Sequence, residues 1–354
     1  MTSPPGHEQG AGSSPAPTRN PARTSVTRND VATMAGVSPA VVSYVLNDGP
    51  RPVSAATRRR VEAAVQALGY RPDGRARSLR LGRTHALGLI LPDASNPFFA
   101  ELAHAVERAA ARNGYALLIC NTSDSAADEK RYLDDLAQRR VDGMIVVSAR
   151  TDRDLSTWAR TTIPIVAMDR LPDETNVSTV RFANGEGAAT ATGHLLAHGR
   201  HHVALIAGPS HLAVSAARTA GWRGAMTSAG AQAGEHLHAP FTYLGGYQAA
   251  CALLSRPEKP AAVLVASDVQ AVGVISAAAT LGVRVPEDLA VASIDGTRAA
   301  AFANPALTTV SQPVDRMAAC AVRHVIHGKG EIIHRTYTGK LILRRSCGCP
   351  GQPT

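Results

Sequence analysis

The sequence predicts an α/β protein in two unequal parts: a three-helix helix-turn-helix domain with a hinge helix, then a two-lobed domain built on parallel sheets. Residues 26–69 contain two short helical patterns joined by a turn and followed by a third, and from residue 86 apolar runs alternate with helical patterns. The formal charge of +9 is concentrated before residue 84, where twelve Arg accompany five acidic residues, whereas the remainder holds 25 basic and 23 acidic ones. A basic head on a nearly neutral body indicates a dedicated nucleic-acid module.

The first 25 residues are rich in Pro, Gly and Ser and lack the apolar core of a signal peptide, so we expect a disordered tail. The later apolar runs are too short to span a bilayer, which predicts a soluble protein. An odd number of scattered cysteines favours a reducing cytoplasm over a disulfide framework, and a DNA-binding protein there would associate with the nucleoid. These cysteines are Cys120, Cys251, Cys320, Cys347 and Cys349.

The N-terminal helical patterns begin and end at residues typical of a helix-turn-helix motif. The first pattern spans residues 28–35 and stops at Gly36, and the second begins at Ser38, a good N-cap, followed by Pro39 in the first turn. A third helix is expected to begin at Ser54 and to end at Gly69. Two helices joined by a tight turn and supported by a third make a helix-turn-helix.

The second helix of such a motif enters the major groove, so its exposed residues are candidate DNA ligands. Pro39 and Ala40 offer apolar contacts to base edges, and Tyr44 offers a hydroxyl and a ring. Phosphate contacts are expected from the side chains of Thr27, Ser38, Ser43 and Asn47. A small helical protein-interaction module is the alternative that this motif alone leaves open.

Residues 73–83 are short and rich in arginine, which indicates a hinge helix that becomes ordered on DNA. Arg75, Arg77 and Arg80 are candidates for phosphate contacts. Leu79 would then be free to insert between base steps of the minor groove and to bend the duplex. A solvated charged linker is the alternative interpretation.

The body alternates strand and helix patterns, which predicts βαβ repetition and parallel sheets. Its length exceeds one usual core, so two lobes with a ligand between them at the strand ends are expected. The predicted strands are residues 86–91, 115–120, 143–147, 163–168, 203–207, 262–266 and 290–294. The predicted helices are residues 98–113, 128–140, 185–198, 214–229 and 269–281.

Polar and aromatic residues follow several of these strands directly. They are Asn96, Phe98, Asp169, Arg170, Ser267, Asp268 and Asp295. Carboxylates and arginines suit a small polyhydroxylated ligand, because they pair with hydroxyl groups while aromatic faces pack on the ring. Helix capping is the alternative role for each of them.

Seven segments carry a resemblance to the lactose/galactose-repressor (LacI/GalR) family of bacterial transcription regulators, in order along most of the chain. They are residues 26–47, 71–83, 95–99, 140–143, 168–170, 305–309 and 345–348. The resemblance implies a repressor that binds a palindromic operator as a dimer, with a tetramer also open, and uses Leu79 as a lever. It also implies a body similar to periplasmic sugar-binding proteins. The domains expected are 26–72, 73–83 and 84–346, with tails at 1–25 and 347–354.

Compared with the ribose-binding member of that group, the resemblance implies an effector site for a pentose or related sugar, which either releases the protein from DNA or enables it to bind. Ser267 stands where Asn is expected, and Tyr44 where Arg or His is common. The implied effector contacts are Asn96, Phe98, Phe99, Asp169, Arg170, Arg218, Phe241, Ser267, Asp295 and Gln312.

Competing functions find weaker support in the sequence. A Rossmann dehydrogenase could be argued from residues 185–190, but the third glycine and the later acidic residue of its fingerprint are missing. The spacing of His194 and His198 lacks an accompanying H-E-x-x-H glutamate, and Cys347 and Cys349 have no second cysteine pair, so no metal site is predicted. A secreted sugar-binding protein fits the body but not the basic head. We therefore expect a regulator and not an enzyme, with a sugar effector and no other cofactor.

Overall fold

The computed structural model describes residues 26–46, 51–71, 82–148, 158, 161–169, 176–231 and 234–350. The chain separates into two compact units, Met1–Arg80 and Leu81–Thr354. Six of the candidate site residues lie outside the described residues, namely Asn47, Arg75, Arg77, Leu79, Arg80 and Arg170. Residues 73–81 of the predicted hinge helix and the predicted N-terminal tail lie outside them as well.

The first unit is the expected three-helix arrangement of α1 (Arg28–Ala35), α2 (Pro39–Leu46) and α3 (Ala55–Leu68). Thr27 and Asp30 form a capping box at the start of α1, and Gly36 ends that helix in the left-handed conformation with φ 63°. The three helices share a small apolar core. Its buried members are Val31, Ala32, Ala35, Val42, Val45, Val61 and Ala64.

The second unit contains two six-stranded sheets. In chain order its elements are β1 (Ala86–Leu91), α4 (Pro97–Arg112), β2 (Ala116–Asn121), α5 (Ala126–Gln138), β3 (Gly143–Val146), β4 (Ile165–Met168), β5 (Ser178–Phe182), α6 (Asn184–Ala197), β6 (Val203–Ala207), α7 (Ala213–Ser228), β7 (His236–His238), α8 (Tyr243–Leu254), β8 (Ala262–Val265), α9 (Asp268–Thr280), β9 (Ala290–Asp295), α10 (Arg298–Phe302), β10 (Thr308–Ser311), α11 (Val314–His327), β11 (His334–Tyr337) and β12 (Lys340–Ile342). A short 3-10 helix, Arg345–Cys347, follows β12.

The two sheets define two lobes. The N lobe has the strand order β11-β5-β4-β3-β1-β2 and includes α4, α5 and α11, and the C lobe has the order β12-β10-β9-β8-β6-β7 and includes α6 to α10. The paired strands are parallel except for β12, which is antiparallel to β10. This architecture confirms the predicted α/β fold class.

The chain passes between the lobes after β5, after β10 and after β11, so three segments join them. These segments pack tightly at Gly339, where a Cβ atom would lie 2.6 Å from the Ser311 carbonyl oxygen and 2.9 Å from the Phe182 ring. Residues at the carboxyl ends of β4 and β9 line one cleft, so the carboxyl ends of both sheets face each other across it. No helix in the described part of the chain is long and apolar enough to cross a membrane.

Candidate ligand cleft and nucleic-acid surface

Five of the predicted strand-end residues converge on one cleft between the lobes, which encloses about 20 Å³ of free space in this structure. Asp169 directly follows β4 in the N lobe, and Asp295 is the last residue of β9 in the C lobe. The lining residues are Asn96, Phe98, Phe99, Asp169, Val214, Arg218, Phe241, Ser267 and Asp295.

Arg218 of α7 is the most firmly held charge of the cleft, with 3% of its surface exposed. Its Nε donates to Asn184 Oδ1 at 2.7 Å, one Nη donates to the Ala266 carbonyl oxygen, and the other lies 3.5 Å from Asp295 Oδ1. The guanidinium also lies over the Phe241 ring, 5.9 Å from its centre. These contacts fix the orientation of the donor groups.

Glycines bring α6 and α7 close enough for the contact between Asn184 and Arg218. A Cβ atom on Gly221 would collide with the Gly185 backbone, and one on Gly187 would lie 2.7 Å from the Phe182 ring. Of the two glycines that suggested part of a dinucleotide fingerprint, Gly187 is required by its close approach to the Phe182 ring, whereas a Cβ atom on Gly185 would lie 3.4 Å from the Ala217 carbonyl oxygen.

Asp295 is buried against Arg218 and accepts a hydrogen bond from Gln312 Nε2 at 3.0 Å. Burial raises the pKa of Asp295 to about 8, while attraction to Arg218 opposes the rise and the charges of Asp268 and Asp169 add to it. Near neutral pH this carboxyl group can therefore serve as a hydrogen-bond donor or, once ionised, as an acceptor. Its backbone has φ 130°, and that of Asp169 has φ 66°. Strained conformations of this kind are concentrated at functional sites.

Two acceptor atoms in this region are buried without a hydrogen-bond partner among the described residues. They are Asp169 Oδ1 and Gln312 Oε1. A buried polar atom without a partner costs about 1–3 kcal/mol. Of the two residues, only Asp169 lines the cleft, so its oxygen is the one placed to accept a hydrogen bond from a ligand.

Asn96 joins the two sides of the cleft. Its Oδ1 accepts a hydrogen bond from the Phe98 amide at 3.0 Å and so caps α4, while its Nδ2 donates to the Phe241 carbonyl oxygen at 3.4 Å across the cleft. The rings of Phe98 and Phe99 meet edge to face, with their centres 5.2 Å apart. The cleft thus has apolar walls beside its charged groups.

Ser267 and Asp268 have different roles from each other. Ser267 caps α9 and donates to Gln270 Oε1 at 2.9 Å while still lining the cleft. Asp268, which the sequence grouped with the strand-end residues, is not among the cleft-lining residues. It accepts hydrogen bonds from Ser293, Thr297 and Thr309. Burial raises its pKa, opposed by these hydrogen bonds.

Val214 also lines the cleft, although the sequence pattern predicted for it only a position in a helix. It precedes Arg218 by four residues on α7, a spacing that puts both side chains on one face of the helix. Gln312, expected as a contact, is not among the lining residues. It donates a hydrogen bond to Asp295, which does line the cleft. The i, i+4 relation to Arg218 could have revealed Val214 from sequence.

The described part of the candidate nucleic-acid surface belongs to the three-helix unit, residues 26–46 and 51–71. Pro39 and Ala40 are exposed at the start of α2, whereas Ser43 and Tyr44 are half-buried. Ser38 Oγ accepts from the Val41 amide at 3.4 Å, so its hydroxyl proton remains available for a phosphate oxygen.

Thr27 is more constrained, because its hydroxyl donates to Asp30 Oδ2 at 2.8 Å within the capping box. A phosphate contact from this hydroxyl would have to replace that bond. Several arginines of the same unit are exposed, namely Arg28, Arg51, Arg59, Arg60 and Arg71. They give the head a positive surface.

Family models match nearly all of the described chain. The model for periplasmic binding proteins and the sugar-binding domain of the LacI family matches residues 84–331. The model for bacterial regulatory proteins of the lacI family matches residues 27–73.

Individual proteins are similar over most of their length. The ribose operon repressor of Escherichia coli strain K12 is 37% identical over 305 residues, which cover 85% of this chain and 92% of that protein. The HTH-type transcriptional repressor PurR of Pasteurella multocida strain Pm70 is 37% identical over 300 residues, covering 84% and 90%. The crystal structure of a Lac repressor dimer bound to operator and the anti-inducer ONPF superposes with a TM-score of 0.84 at 27% identity, covering 92% of this chain and 99% of that one.

Proposed function

We propose, from the premise that this chain belongs to the LacI family of bacterial regulatory proteins, that a pentose or closely related sugar binds between its lobes and controls its hold on operator DNA. Family membership makes the chain a DNA-binding transcriptional regulator with a small-molecule effector domain. The similar proteins named above are repressors, and repression is the direction of control we assign here. The ribose operon repressor and PurR are equally identical to this chain, so sequence identity does not select the effector, and the cleft residues are the evidence for it.

The cleft supports a sugar because it combines fixed donors, free acceptors and apolar walls in a small volume. Arg218 is held in place by protein partners, and Asp169 Oδ1 is buried without a partner in the part of the chain that the structure describes. A polyhydroxylated ring can donate to the carboxylates, accept from the guanidinium and pack its C–H groups against Phe98 and Phe241. The proposal rests on this one observation, that a fixed donor, a buried acceptor and aromatic rings line the same cleft. We assign effector contact to all ten candidate residues, including Arg170 and Gln312.

The sugar would act by linkage between the cleft and the DNA-binding head. It would contact Asp169 of the N lobe and Arg218 of the C lobe together, and so favour the closed arrangement of the lobes. A ligand changes operator affinity only through its different affinities for the DNA-competent and DNA-incompetent states. We assign the sugar the role of inducer, which releases DNA by separating the paired N lobes and melting the hinge helices. The opposite sign, a corepressor, is an outcome of the test below.

The head would bind DNA through α2 and the hinge. Pro39, Ala40 and Tyr44 would meet base edges, while Thr27, Ser38, Ser43 and Asn47 would contact phosphates. In the hinge, Arg75, Arg77 and Arg80 would neutralise phosphates and Leu79 would enter the minor groove. Each phosphate contact made by an arginine releases counterions, so operator affinity should fall steeply with salt.

A homodimer is supported by strand β2, which lies at the edge of the N-lobe sheet. None of its six residues is buried, and Leu118 and Ile119 are 39% and 52% exposed. An exposed apolar edge strand tends to pair with another chain, and a second copy of this chain would bury it. A dimer would present two heads to a palindromic operator. As a regulator of operator DNA, it would work in the cytoplasm at the nucleoid.

The proposal can be tested with an operator selected by the purified protein from a random duplex library. Operator affinity is measured by fluorescence anisotropy without sugar and with a panel of pentoses and hexoses. We expect a pentose to weaken operator binding at least about tenfold, whereas hexoses leave it unchanged. Tighter binding with a pentose would identify a corepressor. Unchanged affinity across the whole panel would refute the sugar effector.

The hinge has its own test. We expect Leu79→Ala to reduce operator bending and specific affinity while sugar binding stays intact, because the lever touches only DNA. Circular-permutation gel shifts report the bending. An operator bent and bound as strongly by this variant would remove the lever role from Leu79.

A further inference from the structure

Four side chains with metal-binding donor atoms converge on the C lobe, apart from the residues that line the sugar cleft. They are His194, His198, Cys347 and Cys349, and their donor atoms all lie within 4.8 Å of one another. The sequence presented them as two separate pairs more than 140 residues apart, and neither pair alone indicated a metal. The fold brings the pairs together because the C-terminal 3-10 helix packs beside the end of α6. We propose that this cluster is a structural zinc site.

The spacing of the donor atoms fits tetrahedral zinc. His194 Nε2 lies 3.3 Å from Cys347 Sγ and 3.7 Å from Cys349 Sγ, and His198 Nε2 lies 3.3 Å from Cys349 Sγ. Zn–S bonds of about 2.3 Å and Zn–N bonds of about 2.05 Å at tetrahedral angles place sulfur and nitrogen about 3.6 Å apart. The widest donor separation, up to 4.8 Å, would have to shorten by about 1 Å to complete the coordination.

The protein backbone holds both pairs where the metal needs them. His194 lies in the last turn of α6 and His198, four residues later, is its C-cap, which places both imidazoles on the same side at the end of the helix. Cys347 is 1% exposed, and its neighbour Ser346 anchors the turn by donating to the Val291 carbonyl oxygen at 2.7 Å. Thr308 Oγ1 lies 3.0 Å from Cys347 Sγ and can support a thiolate there.

The donor set selects the class of metal. Two thiolates and two imidazoles suit zinc, whereas magnesium and calcium require oxygen ligands. Four protein ligands leave no open position for a substrate, so the role is structural and not catalytic. The ion would fasten the C-terminal segment to α6, whose first residue, Asn184, holds Arg218. None of the four ligands lines the sugar cleft, so this proposal stands or falls independently of the effector.

The test uses the full-length protein purified with its thiols reduced and without added metal. We expect elemental analysis to find about one zinc per chain, and the chelated protein reloaded with cobalt to show the intense visible bands of a tetrahedral thiolate site. Chelation should lower the melting temperature, and zinc should restore it, because the ion binds only the folded site. These readouts do not depend on DNA binding.

Variants assign the site to its residues. His198→Ala and Cys349→Ser change exposed or half-buried side chains and should abolish both the retained zinc and the tetrahedral cobalt spectrum. Matched controls are His201→Ala, which removes an exposed histidine three residues away, and Cys120→Ser, which changes a half-buried thiol of the N lobe. Both controls should retain the metal. Secondary structure measured by circular dichroism shows that each variant is folded.

Three results would overturn the proposal. The first is a reduced wild-type protein that neither retains zinc nor gives a tetrahedral cobalt spectrum. The second is a protein that holds copper and not zinc. The third is a disulfide between Cys347 and Cys349 that persists under the reducing purification, because oxidised sulfurs cannot serve as thiolate ligands.

Discussion

The two sides of the cleft are built differently. On the C-lobe side, Arg218 contacts Asn184, Ala266 and Asp295, so its donors are oriented before any ligand arrives. On the N-lobe side, Asp169 has a buried carboxylate oxygen without a hydrogen-bond partner in the described structure. The C lobe therefore holds its charged donor in a preformed position, whereas the N lobe presents a buried carboxylate oxygen that has no partner among the described residues. A sugar would bind first to the C lobe, and its further contacts with the N lobe would stabilise the closed arrangement of the lobes.

Arg218→Ala should have the largest effect, because it removes the centre of the preformed side. It leaves Asn184 Oδ1 and the Ala266 carbonyl oxygen without their donor, and each buried polar atom without a partner costs about 1–3 kcal/mol of unfolding free energy. We expect sugar affinity to fall at least about 100-fold by calorimetry. Arg223→Ala, an exposed position on the same helix, is the control and should change neither quantity. A stable Arg218→Ala variant with normal sugar affinity would show that the preformed side is misassigned.

Asp169→Asn should separate binding from stability. Since Asp169 Oδ1 has no hydrogen-bond partner among the described residues, we expect the unfolding free energy to stay within about 0.5 kcal/mol of the wild-type value. Sugar affinity should fall about tenfold, because a charge-assisted hydrogen bond to the ligand is weakened. Denaturant unfolding and calorimetry measure the two effects. A loss of stability as large as that of Arg218→Ala would contradict the difference between the two sides.

Sugar affinity should also depend on pH through Asp295. Hydroxyl donors of the ligand favour the ionised carboxylate, whose pKa in the free protein is raised to about 8, so binding releases a proton below that pH. Affinity should rise by at most about tenfold per unit up to about pH 8 and then level off. Asp295→Asn should flatten this profile. A wild-type affinity that falls as pH rises would mean that protonated Asp295 donates to the ligand.

The raised pKa of Asp295 also affects stability without ligand. Because the folded pKa exceeds that of the unfolded chain, its contribution to stability is complete below about pH 4 and is lost as the pH rises through about 8. The free energy of unfolding measured against pH should therefore decline over this range, and Asp295→Asn should reduce the decline. An equal decline in the variant would assign it to another group.

Asn96→Ser should have the smallest effect. Serine keeps the N-cap of α4 but loses the 3.4 Å bond to the Phe241 carbonyl oxygen across the cleft. We expect sugar affinity to change by less than about 1 kcal/mol, since the lost bond is long. Asn96→Ala, which also loses the cap, should cost about 1 kcal/mol of stability. Equal unfolding midpoints for the two variants would show that the cap contributes nothing measurable.

Local patterns in the sequence were sufficient for the head and for most parallel strands. The stop at Gly36 and the cap at Ser54 agree with the observed helix ends, because capping is decided by neighbouring residues. The strand at residues 203–207 was predicted with its observed bounds, since its five residues are apolar and fully buried. The strand-end rule and the family resemblance together placed eight of the ten candidate effector residues around one cleft.

Other elements could not be found from local patterns. Strand β11 has no buried residue and exists because its backbone pairs with β5. Strand β2 resembles a buried strand in sequence, yet it lies exposed at a sheet edge. By contrast, α11 has a clear apolar face through Met317, Ala321 and Val325, and its pattern could have been recognised. The four donors of the proposed zinc site are joined only by the fold, so no sequence window contains them.

Sugar binding in the cleft and operator binding by the head should be thermodynamically linked, and the reciprocity of the two affinities tests this linkage directly. Sugar affinity is measured for the free protein and for the operator complex, and operator affinity is measured with and without saturating sugar. We predict that operator weakens sugar binding by the same factor by which sugar weakens operator binding, at least about tenfold. Equal sugar affinity for the free and operator-bound protein would contradict the account.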